Sequence, residues 1–134
     1  MDDSDIIATM CAAVASGAAV CLLGAGFSRQ AKDSQGHAVP STEELTSEIR
    51  TALSIDTPEV ISLSDIADFA EESSQSDTLK KLLTSRLTVT KPSPSQNDFL
   101  SYKWRAAFTT NFDDIVERSD SKDHFYSITP EGGR

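Results

Sequence analysis

The chain has 134 residues, of which 38% are hydrophobic, so it is long enough for one small domain with a single core. It carries 12 Lys and Arg against 21 Asp and Glu, and the formal net charge of −9 repels phosphate backbones. Direct contact with nucleic acid is therefore not expected. No apolar run is long enough to span a membrane, and the acidic N-terminus is unlike a signal peptide, which predicts a soluble cytoplasmic protein without a membrane partner.

The cysteine and histidine content does not predict a metal site. Cys11 lies in an apolar helical stretch and Cys21 in an apolar strand, and both are expected to be buried thiols in a reducing cytoplasm. The two cysteines are not in a C-x-x-C pair, and the histidines, His37 and His124, are not clustered.

The first predicted element is a helix from about Ser4 to Ala15, ended by Ser16-Gly17. Ser4 or Asp5 is available as its cap. Apolar residues recur on one face at spacings of three and four residues: Ile6, Ile7, Met10, Cys11 and Val14.

The next stretch is a short apolar run that stops at a glycine-rich turn. Val20–Leu23 is apolar without alternation, which is typical of a strand buried on both faces of a parallel sheet. Gly24 and Gly26 lack a Cβ where the chain must turn and a ligand must approach, and Ser28 is a candidate cap for the following helix. Free N–H groups at such a helix start attract phosphate, although a tight turn alone also requires small residues.

A polar segment with few apolar anchors follows, from Arg29 to Ala38. Its composition predicts a flexible loop or a frayed helix, and we expect residues 29–39 to be mobile when no ligand is bound.

Residues from about 41 to 103 are predicted to form an all-helical insertion. Ser41 and Glu44 have the spacing of a capping box, and Leu45, Ile49 and Leu53 mark the buried stripe of that helix. After a break at Thr57-Pro58, further helical stretches are predicted at Leu63–Glu72 (capped by Ser62 or Ser64), from Leu79 to Leu87, and at Ser95–Leu100. The cationic side chains of the third helix are interpreted as a solvated face: Lys80, Lys81 and Arg86. Lys91-Pro-Ser-Pro94 is predicted to be a stiff linker.

A second strand, within Trp104–Thr109, leads into the polar sequence Thr109-Thr110-Asn111-Phe112-Asp113-Asp114. Asn111 or Thr110 is a candidate cap for a helix whose first turn holds Asp113. Capping alone does not account for hydroxyls, an amide and a carboxylate gathered after a strand, where open α/β sheets bind ligands. We expect the two strands to be parallel, so that both polar turns meet at one edge.

Together the two motifs resemble the sirtuin superfamily, in which the first strand ends in Gly-Ala-Gly-x-Ser and the second in Thr-(Gln/Thr)-Asn-x-Asp. This chain has Gly24-Ala25-Gly26-Phe27-Ser28 and Thr109-Thr110-Asn111-Phe112-Asp113. The Thr-Thr-Asn form after a Trp-Arg strand is most similar to the sirtuin-like domains of bacterial anti-phage defence proteins, which cleave NAD. Ala38-Val39-Pro40-Ser41 is a weaker match to a third family motif, and the zinc-binding cysteine pairs of deacylating sirtuins are missing.

The resemblance implies an α/β fold with a Rossmann-like parallel sheet, of which residues 1–134 would be the N-terminal part. It implies that Gly24, Ala25, Gly26 and Ser28 hold the NAD pyrophosphate, with Phe27 near the ribose or nicotinamide. Thr109 and Thr110 would complete the cofactor site. Catalysis would fall to Asn111, which orients the ribose hydroxyls and water, and to Asp113, which bonds the ribose or fixes the loop.

The family's catalytic histidine, in a His-Gly pair at the end of the next strand, has no clear counterpart. His124 stands at the beginning of a predicted strand, His124–Ile128, which is the wrong edge of the sheet, and His37 lies in a loop. The tail, Thr129–Arg134, has loop composition. The isolated chain is therefore expected to be inactive and to need further domains or a homo-oligomer. Two alternatives remain: a catalytically inactive module that senses NAD or ADP-ribose, and a purely helical interaction domain.

Overall fold

The computed structural model describes residues 2–56 and 62–126, which form a mixed α/β structure. Its helices are α1 (Asp3–Ala15), α2 (Ala25–Ser28), α3 (Thr42–Ala52), α4 (Leu63–Glu72), α5 (Ser76–Leu87), α6 (Pro94–Leu100) and α7 (Ile115–Arg118). Its strands are β1 (Val20–Leu23), β2 (Lys32–Asp33), β3 (Val89–Lys91) and β4 (Ala106–Thr109), and a 3-10 helix spans Lys122–His124. A search of these residues for a helix able to cross a membrane finds none.

β1 and β4 form a two-stranded parallel sheet, as the sequence predicts. Their register pairs Val20 with Ala106 and Leu23 with Thr109. The pairing continues past β4, because the Thr110 amide donates to the Leu23 carbonyl oxygen at 3.2 Å. The two polar turns therefore leave the sheet side by side, which positions the candidate site.

The expectation that β1 is buried on both faces is wrong. Cys21 and Leu23 are buried on one face and pack with Leu100. The opposite face is apolar but open: Val20, Leu22 and Phe108 are 53%, 74% and 60% exposed. An apolar run without alternation does not distinguish a strand covered on both faces from one covered on a single face, since covering depends on distant elements.

α1 is a helix with an exposed apolar stripe. Asp2, rather than Ser4 or Asp5, caps its N-terminus and forms a capping box with Asp5. Ser16 is the C-cap, and Gly17, which follows, has a φ of +72°. No residue of α1 is buried, so the expected burial of its apolar face does not occur within the described chain. Cys11 is consequently exposed, and the prediction of two buried thiols holds only for Cys21.

The largest core cluster lies within the helical insertion. The capping box of Ser41 and Glu44 is confirmed, as is the cap of α4 by Ser62. The buried side chains that join α3 to α4 are Leu45, Ile49, Leu53, Ile66 and Ala70, and leucines of α5 pack against them. The period of the apolar residues is sufficient to predict these helices, because α3 and α4 each bury a single stripe and the partly buried leucines of α5 pack against it.

The insertion is not all-helical, because it contains β3, which pairs with β2 from the preceding segment in a small antiparallel sheet. β2 belongs to the segment 29–39, for which the sequence predicted a mobile loop. Ala31, Asp33 and Val39 are fully or almost fully buried there. The segment is thus a packed part of the fold, and the interpretation as a flexible loop is wrong.

An ion-pair network anchors this segment to the helices. Asp33 is fully buried, and its carboxylate accepts hydrogen bonds from the Gln35 and His37 amides at 2.9 and 2.8 Å and pairs with Arg86. Arg86 also binds Glu48 at 2.8 Å, and its side chain is 13% exposed. We call these five residues the Asp33 cluster. The interpretation of Arg86 as part of a solvated face is therefore wrong.

The remaining predictions have mixed outcomes. Lys91-Pro-Ser-Pro94 is the end of β3 followed by the start of α6, with Ser93 as the helix cap and Pro94 in the first turn. His124 ends a 3-10 helix instead of beginning a strand. The predicted break at Thr57-Pro58, the rest of the predicted strand up to Ile128, and the loop Thr129–Arg134 lie outside the described residues.

Candidate functional site

The side chain of Asn111 joins the two polar turns. Its Nδ2 donates to the Gly24 carbonyl oxygen at 3.0 Å and to Ser28 Oγ at 2.9 Å. The backbone N–H of Asn111 donates a hydrogen bond to Thr109 Oγ1 at 3.0 Å. Because β1 and β4 are parallel neighbours, residues 87 and 83 positions apart meet at this edge of the sheet.

Asn111 is not a helix cap. α7 begins at Ile115, and the residue at its cap position is Asp114. The Asp114 carboxylate instead accepts from the Val89 amide at 2.6 Å and pairs with Arg118 at 2.9 Å. The capping interpretation of Thr110 and Asn111 is therefore wrong, and the polar side chain of Asn111 serves the strand-end turn.

Ser28 lies between Asn111 and Asp113. It is 1% exposed, and its hydroxyl accepts a hydrogen bond from Asn111 Nδ2 at 2.9 Å. The same hydroxyl acts to lower the pKa of the Asp113 carboxyl group. Ser28 is the last residue of α2, whose cap position is occupied by Gly24, so the expectation that Ser28 caps this helix is wrong. We call Ser28, Asn111 and Asp113 the strand-end cluster.

Asp113 is a carboxylate in a poorly solvated position. Burial raises the pKa of Asp113, and this effect outweighs the opposing hydrogen bonds from Ser28 and from the Ile115 amide, the latter at 3.2 Å. The neighbouring charge of Asp114 acts in the same direction as burial. Asp113 is thus held at an electrostatic cost, which is common in functional sites.

One atom of the strand-end cluster lacks a hydrogen-bond partner. Asn111 Oδ1 is buried and is the only buried side-chain nitrogen or oxygen atom in residues 2–56 and 62–126 without one. A buried acceptor left unpaired costs about 1–3 kcal/mol, so native structures rarely keep one without a reason. A ligand hydroxyl, a ligand N–H or a water molecule would satisfy this atom.

A cavity of about 160 Å³ lies beside the strand-end cluster. Ala25 and Asn111 contribute to its wall, Leu45 and Leu87 are among its apolar lining residues, and Asp113 is among its polar ones. Most small-molecule sites measure roughly 300–1,000 Å³, so this cavity is large enough for only part of a dinucleotide. Another cavity, of about 290 Å³, has Gly26 and Phe27 of the same turn among its lining residues.

The two glycines of the turn face open space. A Cβ built on Gly24 or Gly26 would meet no atom within 4 Å, and neither glycine has a positive φ. The backbone of Gly24 is extended, with φ −106° and ψ 174°, a conformation that any residue adopts. The turn itself therefore does not require these glycines, contrary to the sequence-based expectation, and the space that they leave is open to a ligand.

The other predicted residues occupy varied positions around the cluster. Phe27 is half-buried and lies against Phe99 in a tilted arrangement, with ring centroids 5.4 Å apart, so its ring packs against the core. Thr109 and Thr110 are exposed at the end of β4, and Phe112 is 75% exposed. Ala25 is exposed and lines the first cavity, as does Thr110.

Neither histidine belongs to the strand-end cluster. His37 is exposed in the turn that follows β2, where its amide binds Asp33, and His124 is exposed at the end of the 3-10 helix. Within the described parts of the chain, no group of three or more His, Cys, Asp or Glu residues is arranged to hold a metal ion.

Part of the cavity wall was not predicted from the sequence. Thr42, Leu45, Leu63 and Leu87 line the cavity from the helical insertion, and only the weak match at Ala38–Ser41 pointed to this region. Their apolar spacing indicated core positions, since helical periodicity does not separate a core wall from a cavity wall.

Comparison of the chain with protein-family models, with curated proteins and with solved structures finds no match.

Proposed function

We propose that this chain is the NAD-binding part of a sirtuin-like domain that hydrolyses NAD to nicotinamide and ADP-ribose, in the setting of anti-phage defence. The supporting observation is the bridge from Asn111 to Gly24 and Ser28, which unites the two motifs on which the resemblance rests. A helical interaction domain would have no need of this bridge.

The open space at Gly24 and Gly26 fits the pyrophosphate of NAD. The exposed turn contributes Ala25 to the wall of the 160 Å³ cavity, and Gly26 and Phe27 to the wall of the 290 Å³ cavity. An extended ligand with a ring system at each end suits such a surface better than a compact one. The unpaired Asn111 Oδ1 suits a ligand with hydroxyl groups, which ribose supplies.

The proposed reaction places modest chemical demands on the protein. Water adds to the ribose carbon as its bond to nicotinamide breaks, the electron pair of that bond passes to the ring nitrogen, and the water releases a proton. Because nicotinamide leaves as a neutral molecule, the site has mainly to orient the ribose and stabilise its developing positive charge. In this proposal Asn111 orients the ribose and water, and the carboxylate of Asp113 provides nearby negative charge.

The proposal assigns binding to these residues and complete hydrolysis to a larger assembly. Neither histidine of the chain is beside the strand-end cluster, so the proton acceptor would come from further domains or from another copy in a homo-oligomer. The open apolar face of Val20, Leu22 and Phe108 supports such an arrangement, because parallel sheets are usually covered on both faces. The same lack of a histidine favours the second candidate, a module that senses NAD or ADP-ribose without cleaving it.

Two substitutions test the proposal. In the complete protein, Asn111→Ala should lower NAD hydrolysis by about a hundredfold or more while NAD binding survives, because it removes orientation but leaves the turn intact. Gly26→Val should abolish NAD binding, because its branched side chain fills the space that we assign to the pyrophosphate. Binding is measured by calorimetry, and hydrolysis by release of ADP-ribose.

The matched control for Gly26→Val is Ala12→Val, at an exposed position of α1. It should leave NAD binding unchanged. NAD binding by the Gly26→Val variant at wild-type affinity would refute the assigned cradle. Undiminished hydrolysis in the Asn111→Ala variant would refute the catalytic role, and binding without any hydrolysis in the wild-type protein would establish the sensor.

A further inference from the structure

We propose that α1 pairs with α1 of a second copy of this chain, with the two helices antiparallel and Met10 of each helix at the two-fold axis. The second copy covers the apolar side chains that α1 leaves exposed. These residues differ from those of the open sheet face. The inference goes beyond the proposed function, because the pairing does not depend on NAD.

α1 carries an apolar stripe that no other element of the described chain covers. Every residue from 2 to 12 is exposed, and Ile6, Ile7 and Met10 are 43%, 61% and 64% exposed. Val14, one turn further on, continues the stripe and is half-buried. Helices in proteins gain most of their stability by packing an apolar face, yet this helix of 13 residues has no buried residue. The stripe is therefore a surface that fits a partner.

The two ends of α1 have opposite charges around them. Asp3 lies in its first turn. Lys103 lies beside the other end, because a Cβ built on Gly17 would be 3.8 Å from the Lys103 Cβ. The Arg105 amide nearby donates to the Ala19 carbonyl oxygen at 2.8 Å. Within residues 2–56 and 62–126, none of these three charged side chains forms an ion pair. An acidic end and a basic end are thus both able to bind a partner.

The charges favour an antiparallel pair of helices. With Met10 at the axis, residues equally far from it on the two helices lie opposite each other, so Ile6 faces the partner's Val14. Asp3 then faces the partner's Gly17, which places it near the partner's Lys103. A parallel pair would instead bring the two acidic ends together, and the repulsion would weaken binding. The helix dipoles also favour opposite directions.

A membrane surface fits the stripe less well than a second copy does. Helices that bind at the surface of a membrane usually carry Lys or Arg on their polar face, which attracts anionic lipids. α1 has neither residue, and its first turn is acidic. The charge pattern is instead complementary to itself, which is the property that a two-fold interface requires.

Engineered cysteines test the arrangement in the complete protein, without NAD and with Cys11→Ser in every variant. With copper-phenanthroline as oxidant, Met10→Cys should form an intermolecular disulfide at least about tenfold faster than Ala12→Cys. Ala12→Cys is the matched control, because Ala12 is exposed on the opposite face of α1. Ile6→Cys should be as slow as the control, since the two copies of residue 6 lie about 12 Å apart along an antiparallel pair. Mixing Ile6→Cys with Val14→Cys should restore rapid cross-linking.

Charge reversal tests the pairing of the ends. Asp3→Lys and Lys103→Asp should each slow cross-linking through Met10→Cys by about fivefold or more, because like charges then meet at both ends. An equimolar mixture of the two variants should recover the rate, because each end then meets an opposite charge; recovery also excludes fraying of α1 as the cause. The matched control, Lys80→Asp at an exposed position of α5, should leave the rate unchanged.

Equal rates for Met10→Cys and Ala12→Cys would overturn the inference, and a stripe covered by a membrane or by another domain would give this result. Rapid cross-linking of Ile6→Cys by itself would indicate a parallel pair and would also overturn it. A mixture of the charge variants that stays slow would refute the pairing of the ends. Failure of the protein to bind NAD would refute only the proposed function, because every cross-linking rate is measured without NAD.

Discussion

The fully buried Asp33 and the partly buried Asp113 have opposite environments. Asp33 is fully buried, yet two backbone amides and Arg86 provide a partner for each oxygen of its carboxylate. Asp113 belongs to a cluster in which burial raises the pKa of the carboxyl group and a neighbouring amide oxygen has no partner. A polar cluster in which every buried group has a partner stabilises the fold. A cluster with an unpaired buried group costs stability but leaves that group free to bind a ligand.

The largest difference between the clusters should appear when Arg86 is removed. Arg86→Met leaves the Asp33 carboxylate buried without its cation, which should lower the free energy of unfolding by about 3–5 kcal/mol. Urea denaturation measures this change. The matched control is Arg29→Met, which removes the exposed ion pair of Arg29 with Glu44 at 3.3 Å and should have little effect. Equal effects of the two substitutions would show that the Asp33 cluster has no special structural role.

Lowering the pH should reduce the stability that the Asp33 cluster contributes. Burial would raise the pKa of Asp33, but the hydrogen bonds from the His37 and Gln35 amides and from Arg86 together lower it. Because the pKa is lower in the folded than in the unfolded state, the stabilisation is complete well above the unfolded value of about 3.9 and is lost as the pH falls through the folded value.

Denaturation curves between pH 7 and pH 3 test this prediction. Stability should fall below about pH 5 in the wild-type protein, and the fall should be shallower in the Arg86→Met variant, which lacks one of the groups that lower the pKa. Parallel pH profiles for the two proteins would contradict the assignment.

The smallest effect, with the opposite sign, is expected at Asp113. The pKa of this carboxyl group is higher in the folded than in the unfolded state, so ionisation destabilises the fold, and the penalty disappears as the pH falls through the folded value. Asp113→Asn should therefore raise the free energy of unfolding at pH 7 by less than about 1 kcal/mol.

Asp68→Asn, at an exposed position of α4, controls for the loss of one negative charge from a chain of net charge −9. The gain for Asp113→Asn should exceed that of the control at pH 7, and the difference should shrink in acid. A loss of stability at pH 7 would mean that the Asp113 carboxylate is a structural group like that of Asp33.

The local features of the sequence determined most of the secondary structure. The capping boxes at Ser41 and Ser62 and the leucine spacing of the insertion predicted α3, α4 and α5, because a cap and a single buried stripe depend on residues within a few positions of one another. The two strand-end turns likewise predicted β1, β4 and their parallel pairing. The prediction that Asn111 and Gly24–Ser28 share one edge followed from that pairing and is confirmed.

Features that depend on distant residues were decided only by the tertiary structure. In the sequence, Arg86 has the spacing of a solvated cation on a helix. Only the tertiary structure brings Asp33, 53 residues away, into contact with it. Asp33 was not predicted to be buried, because the polar composition of its segment indicated a loop. Ser28 and Asn111 resembled helix caps, since both types of residue favour cap positions, but their mutual bond at 2.9 Å gives them a different role. The exposure of Leu22 and Phe108 was also decided by the tertiary structure. An apolar side chain favours burial, but it does not determine which element, if any, packs over it.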